Sequence, residues 1–272
     1  MTFFPLSAED NAQRFQSVIW PTLFGNSTPS LNPVCHFIGG QPGCGKSGLL
    51  HELTRVIRTD GGIAINGDDL RVFHPQYIEM CTQDAFSIVE WTGPDAALWL
   101  RSTIKKALSD RISFAMESTL RNPQVVQDTF FELEKADFDI NFHVMAVPKE
   151  ISWARCFFRQ ERFLKETGAT RKVTKKIHDD AYDGCEVTIR SLIANHPEIN
   201  IIIYDASGIP ASGSVHGHNH VLDRFTHLRN RELTLEERDS VSEILILTRD
   251  MMRARGAKND ILDLNLQFPN YK

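Results

Sequence analysis

Pro33-Val34-Cys35-His36-Phe37-Ile38-Gly39-Gly40-Gln41-Pro42-Gly43-Cys44-Gly45-Lys46-Ser47-Gly48-Leu49-Leu50 joins a short apolar run to a helix-compatible run through a glycine-rich turn. Gly40 to Ser47 fits G-x-x-x-x-G-K-[ST], the phosphate-binding loop between a strand and a helix. Its glycines let backbone N–H groups turn inward around an anion without Cβ clashes. The following helix directs its positive end at the same point. In such a loop the lysine reaches the outer phosphates and the last hydroxyl holds Mg²⁺. Those tasks fall to Lys46 and Ser47, while Gly40, Gln41, Pro42, Gly43, Cys44 and Gly45 supply the cradle. A nucleoside triphosphate site is the fixed point for everything that follows.

The 272 residues suit one domain, with a core over about 30–205, an N-terminal helix over 8–20 and a helical tail over about 221–272. The 42% hydrophobic and 24% charged residues are an ordinary globular balance. A net charge of −5 offers no footing for nucleic acid or an anionic membrane. Met1–Pro5 lacks the pattern of a signal peptide, and no apolar run approaches membrane-spanning length. Five cysteines without C-x-x-C spacing fit free thiols in a reducing compartment, so the expected location is cytoplasmic.

Ser7-Ala8-Glu9-Asp10 resembles a capping box at the head of the 8–20 helix, and Pro21 to Pro33 reads as a loop. Ile63–Ile65 is a second short strand and Ile112–Met116 a third. Residues 142–147 form a fourth strand and 201–204 a fifth. Helices are expected over 96–109 (capped by Asp95), 123–136, 150–166, 173–195 and 234–255, with 78–93 unassigned and 206–220 a loop. Strands alternating with helices give an α/β fold with a mostly parallel sheet covered on both faces.

Ligands of such sheets sit at the carboxyl ends of the strands, and that rule ranks the polar residues. Asp68 ends the second strand, where a carboxylate can take a hydroxyl proton while phosphate transfers. Asn66-Gly67-Asp68 is also good turn chemistry, and Asp69 is a rival in the same turn. Arg71 and His74 follow as pocket-lining residues. Glu117-Ser118-Thr119-Leu120-Arg121, past the third strand, offers an acid, two hydroxyls and a guanidinium to a polyhydroxylated ligand, or a magnesium-side acid in Glu117; a capped helix start is the structural alternative. Arg155, Arg159 and Arg162 recur at helical spacing and, with Arg171-Lys172, form a basic segment suited to a migrating phosphoryl group. Asp205 also follows a strand. His216, His218 and His220 have the composition of a metal loop without a nearby acidic or thiol partner.

Gly39-Gly40-Gln41-Pro42-Gly43-x-Gly45-Lys46-Ser47, Asn66-Gly67-Asp68-x-Leu70-Arg71-x-x-His74-Pro75, Glu117-x-Thr119-x-Arg121 and Val144-Met145-Ala146-Val147-Pro148-Lys149 together resemble the zeta toxin family of P-loop kinases. Similarity runs from about 30 to 205. The resemblance implies a P-loop kinase-like fold with a helical C-terminal extension. It also implies ATP- or GTP-dependent, Mg²⁺-supported phosphorylation of a sugar hydroxyl in UDP-N-acetylglucosamine. It places the base on Asp68, the phosphate grip on Lys46 and the magnesium hydroxyl on Ser47. Arg159 and Arg171 are implied to bind the transferred phosphate, and Glu117, Thr119, Arg121 and Thr129 to contact the nucleotide sugar. A small helical antitoxin protein is the implied partner, with the 8–20 helix a plausible contact. A second sugar-contacting glutamate of the family falls at Arg101, which opens the acceptor to a related UDP-sugar or another hydroxyl compound. A nucleotide-binding switch protein is the non-catalytic alternative; the chain has no N-K-x-D guanine-reading motif.

Overall fold

β1 (Val34–Gly39) is apolar on one face and, His36 apart, on the other, and a strand of that kind must be covered from both sides. In the computed structural model, which describes residues 3–84, 86–168, 170, 172–214 and 217–271, β1 lies at the centre of a six-stranded sheet. Its neighbours are β3 (Phe114–Ser118) and β4 (Asp139–Met145), both parallel to it. β2 (Ile63–Ile65) flanks β3, and β5 (Asn200–Tyr204) flanks β4, again in parallel. β6 (Pro210–Gly213) closes the far edge antiparallel to β5. The order β2-β3-β1-β4-β5-β6 puts the topological switch at β1, so the phosphate loop leaves the sheet where ligands of such sheets bind.

Cys35, Phe37, Phe114, Phe142 and Val144 face one side, where α6 (Pro123–Lys135), α8 (Lys175–Asn195) and α9 (His218–Asn230) bury them. Phe37, Phe130 and Phe142 meet edge to face at 5.0–5.8 Å between ring centres. Ile38 and Ala115 face the other side under α3 (Lys46–Thr59). On that side Met145 and Tyr204 pack with α7 (Lys149–Thr167), α10 (Leu235–Ala254) and α11 (Lys258–Gln267). Thr234 and Glu237 complete a reciprocal capping box at the head of α10.

Several sequence expectations are corrected. The N-terminal helix does not stop at 20: α1 (Ala8–Arg14) runs through a π turn (Phe15–Ile19) into α2 (Trp20–Phe24), with Pro21, which cannot donate a helical hydrogen bond, directly after the π turn. The unassigned 78–93 stretch holds α4 (Tyr77–Gln83) and the start of α5 (Ile88–Ser109). Asp95 therefore caps nothing. It is buried inside α5, one residue past Pro94, and accepts hydrogen bonds from Leu6 N (3.2 Å) and Asn11 Nδ2 (2.7 Å). His74 is 2% exposed, 3.6 Å from Asp95, and belongs to this anchor of the N-terminal segment instead of a ligand pocket. The 206–220 loop contains β6 and the first turn of α9, where His218 Nε2 meets the Ile199 carbonyl at 3.1 Å. His216 and Arg171 lie outside the described residues. Among the described residues no group of three His, Cys, Asp or Glu side chains could hold a metal ion, and no helix is long and apolar enough to cross a membrane.

Candidate active site

The phosphate loop is pressed against the first turn of α7. A Cβ on Gly43, whose φ is +78°, would lie 1.9 Å from the Ser152 carbonyl oxygen, so only glycine fits. Lys46, at the first turn of α3, is 9% exposed and bends back to donate to the carbonyls of Gly40 (2.7 Å) and Gln41 (3.0 Å). An ammonium held by two backbone oxygens at the mouth of an anion cradle is placed to exchange them for phosphate oxygens.

The parallel register sets Ile38 beside Glu117 and Gly39 beside Ser118, which brings the end of β3 level with the loop. Ser47 Oγ donates to Glu117 Oε2 at 3.2 Å. The end of β2 joins the same group. Asp69 reaches solvent, yet partial burial and then the charges of Glu117 and Asp68 push its carboxyl above the usual range. Asp68 opens the 3₁₀ turn Asp69–Phe73, with its N–H on Asn66 Oδ1 (2.9 Å) and its Oδ1 accepting from Arg71 Nε (3.2 Å). Arg71 is itself fixed by the Val89 carbonyl (3.1 Å) and Thr92 Oγ1 (2.9 Å), both on α5. Turn chemistry and a half-exposed strand-end carboxylate thus coexist at Asp68.

The loop after β3 is tied to α8. Leu120 holds φ +54° and is fully buried, and its carbonyl accepts from Thr188 Oγ1 at 2.8 Å. Cys185 Sγ lies 3.7 Å from the Thr119 carbonyl. Gly184 lets this loop approach, since a Cβ there would sit 2.8 Å from the Arg121 carbonyl oxygen. Thr119 and Arg121 are held by these backbone anchors on either side of Leu120. The fixing residues Gly184, Cys185 and Thr188 carry no motif; three small residues at helical spacing on α8 were their only trace in the sequence.

The remaining residues divide. Arg159 lies on α7, partly exposed, with no hydrogen bond or ion pair among the described residues. Arg155 is spent on the Ala206 carbonyl (3.1 Å), and Arg162 faces Glu166 at 3.6 Å on the surface. Asp205 is a turn former: burial raises its carboxyl, but hydrogen bonds from Ser207 (2.7 and 2.9 Å) and Ile209 (3.1 Å) outweigh that and hold it low. Thr129 lies along α6, and its hydroxyl donates to the Val125 carbonyl at 2.9 Å. Arg101 is exposed on α5.

The sequence profile of the zeta toxin family matches residues 22–212, which takes in the phosphate loop, the strand-end carboxylates and α7. The chain belongs to the zeta toxin family. Toxin PezT of Streptococcus pneumoniae serotype 4 is 27% identical over 151 residues, 55% of this chain and 59% of that protein. Toxin zeta of Streptococcus agalactiae is 24% identical over 186 residues, 68% of this chain and 64% of that protein. The matched part thus spans less than two thirds of the length of these zeta-family relatives. A solved structure from the PezAT chromosomal toxin–antitoxin system of Streptococcus pneumoniae superposes with a TM-score of 0.75 at 21% identity, covering 92% of this chain and 98% of that one. The AvrRxo1-ORF1:AvrRxo1-ORF2 structure with ATP gives 0.56 at 12%, covering 90% and 83%. Identities that low establish a shared fold.

Proposed function

We propose that the chain is a phosphotransferase that moves the terminal phosphoryl group of ATP or GTP to a sugar hydroxyl of a nucleotide sugar, UDP-N-acetylglucosamine or a related UDP-sugar, and so acts as a toxin. The observation that carries this reading is the Ser47–Glu117 contact at 3.2 Å. It joins the phosphate loop to the carboxylate at the end of β3, close enough to Asp69 after β2 to raise its carboxyl, and so supports reading donor and acceptor sides as one site.

In this reading Lys46 leaves the Gly40 and Gln41 carbonyls for the outer phosphates. Asp68, steadied by Arg71, accepts the proton of the attacking hydroxyl as its oxygen bonds to phosphorus, and the nucleoside diphosphate departs. Glu117, Thr119 and Arg121 bind the acceptor sugar from the anchored loop. Thr129 belongs to the same acceptor set, reached from α6. Arg159 adds positive charge beside the transferring group, and Arg171 shares that task. Ser47 and Glu117, with Asp69 close by, would hold Mg²⁺ together with phosphate oxygens and water. When bound, that ion neutralises charge on the phosphates.

A small helical antitoxin is the proposed partner. The PezAT and AvrRxo1-ORF1:AvrRxo1-ORF2 structures support this reading because each is named for a two-component system or complex. The outer face of the α1–α2 segment is the proposed contact, and co-purification from the native operon tests it. Cytoplasmic action follows from the same reading, because the acceptor is a soluble nucleotide sugar.

The chemistry is tested by incubating purified protein with ATP, Mg²⁺ and a panel of UDP-sugars and reading the products by mass. A gain of one phosphate on one UDP-sugar is expected. Asp68→Asn abolishes it and leaves ATP affinity within about twofold of the parent, whereas Lys46→Ala lowers affinity itself. ATP binding with no phosphorylated sugar in any reaction would overturn the acceptor assignment. Toxicity surviving Asp68→Asn would favour the switch reading.

A further inference from the structure

A line of hydrogen bonds leaves the phosphate loop away from the proposed acceptor side. Gln41 Nε2 donates to the Val147 carbonyl (2.8 Å) and to Ser152 Oγ (3.2 Å). Ser152 Oγ lies 2.9 Å from His178 Nε2, and His178 Nδ1 lies 3.1 Å from Asp179 Oδ1. Gln41, Ser152 and His178 are each 0% exposed. Asp179 reaches the surface, where Lys149 (3.1 Å) and Lys175 (2.5 Å) hold its carboxylate.

Hydroxyl, imidazole and carboxylate in that order invite a hydrolytic reading. Burial rejects it, because a serine with no solvent exposure can meet no substrate. The hydrogens instead give the line a direction. Burial keeps His178 neutral, although Asp179 opposes that. With Nδ1–H on Asp179, Nε2 is left as an acceptor for the Ser152 hydroxyl, whose single hydrogen it shares with the Lys149 carbonyl at 3.0 Å. The Ser152 oxygen and the Val147 carbonyl then both face the Gln41 N–H side; among the described residues Gln41 Oε1 is buried without a hydrogen-bond partner. The same Ser152 also bounds the loop sterically through Gly43, and the Gln41 carbonyl receives Lys46. Gln41 thus rests on the Ser152 hydroxyl, whose orientation is set from α8, while Gly43 rests on the Ser152 backbone carbonyl.

We infer that Ser152, His178 and Asp179 are positioning residues that set the conformation of the phosphate loop from the first turn of α8. The relay fixes the shape of the loop whether or not a sugar is the acceptor. It rests on the proposed nucleotide site only for its effect on affinity.

The test is hydrogen–deuterium exchange on the full nucleotide-free chain for Ser152→Ala, Asp179→Ala and the double variant, with Asp180→Ala as control. Asp180 lies on the same helix and, among the described residues, pairs with Lys176 at 2.6 Å. Amides of residues 40–46 are expected to exchange about tenfold faster in Ser152→Ala and Asp179→Ala, with β1 and β4 unchanged. The double variant should be no worse than Ser152→Ala, and Asp180→Ala should match the parent. ATP affinity, read by calorimetry, should fall by about tenfold in the same variants. Where Ser152→Ala does not fold, Asp179→Ala, at the surface end, carries the test. Loosening confined to α8, or additive effects in the double variant, would overturn the relay. Failure of the parent to bind ATP counts against the proposed function, and the exchange arm then decides the relay alone.

Discussion

Asp69 carries a disfavoured charge in the site. Partial burial, then Glu117 and Asp68, raise its carboxyl, so the folded chain binds that proton more tightly than the unfolded chain does. Stability is then lost as pH rises from the unfolded carboxylate range through the raised folded value, and the full penalty is present at neutral pH. Asp69→Asn should therefore melt at a higher temperature than the parent at pH 7 to 8, with the gap closing below about pH 4. Thermal melts across that range check it, and equal melting temperatures throughout would refute the crowding argument. Asp68, Glu117, Lys46 and Ser47 were legible in the sequence because strand ends and a local motif fix where they lie. Ser152 and His178 were not, because 26 residues separate two side chains whose meeting depends on how α7 and α8 pack.

Elements with a plain pattern followed from the sequence, through the apolar runs of β1 and β2 and the helical periodicity of α6 and α10. Only the latter part of α5 is legible because Pro94 and Asp95 look like a helix start, whereas the helix begins about two turns earlier, at Ile88, and the Asp95 carboxylate serves Leu6 and Asn11. β6 left no trace because an edge strand of Pro210 to Gly213 needs neither β-branched residues nor a free N–H at every position. The Gly184 contact is the element-scale device that places Thr119 and Arg121. Gly184→Ala gains helix propensity of about 1 kcal/mol but must push the Arg121 backbone away, at roughly 1–3 kcal/mol. The expected outcome is a net loss of about 1 kcal/mol in urea unfolding and a several-fold rise in KM for the proposed sugar acceptor, with ATP affinity unchanged. An unaltered sugar KM would detach the loop from acceptor binding.

Across the whole molecule, His36, His143 and Tyr204 link β1, β4 and β5 through two 3.0 Å hydrogen bonds on the face under α3 and α10. Burial, then the neighbouring His36, brings His143 down to about 4. The unfolded imidazole titrates near 6.5, so stability is complete above that value and drains as pH falls toward 4, by about 3 kcal/mol at most. Urea midpoints measured between pH 7 and 4.5 should fall steeply in the parent. They should fall less steeply in His143→Phe, which loses a hydrogen bond or two at neutral pH but no longer accepts a proton. Identical slopes would exclude His143 as the acid-sensitive group.

The sheet also ends abruptly at both flanks. β2 has three residues, and β6 has four, beginning with a proline and joined to β5 through an irregular register. Neither rim offers a long run of free amides for a second chain to copy, so concentrated or partly melted protein should resist conversion into thioflavin-positive fibrils and fail by amorphous clumping instead.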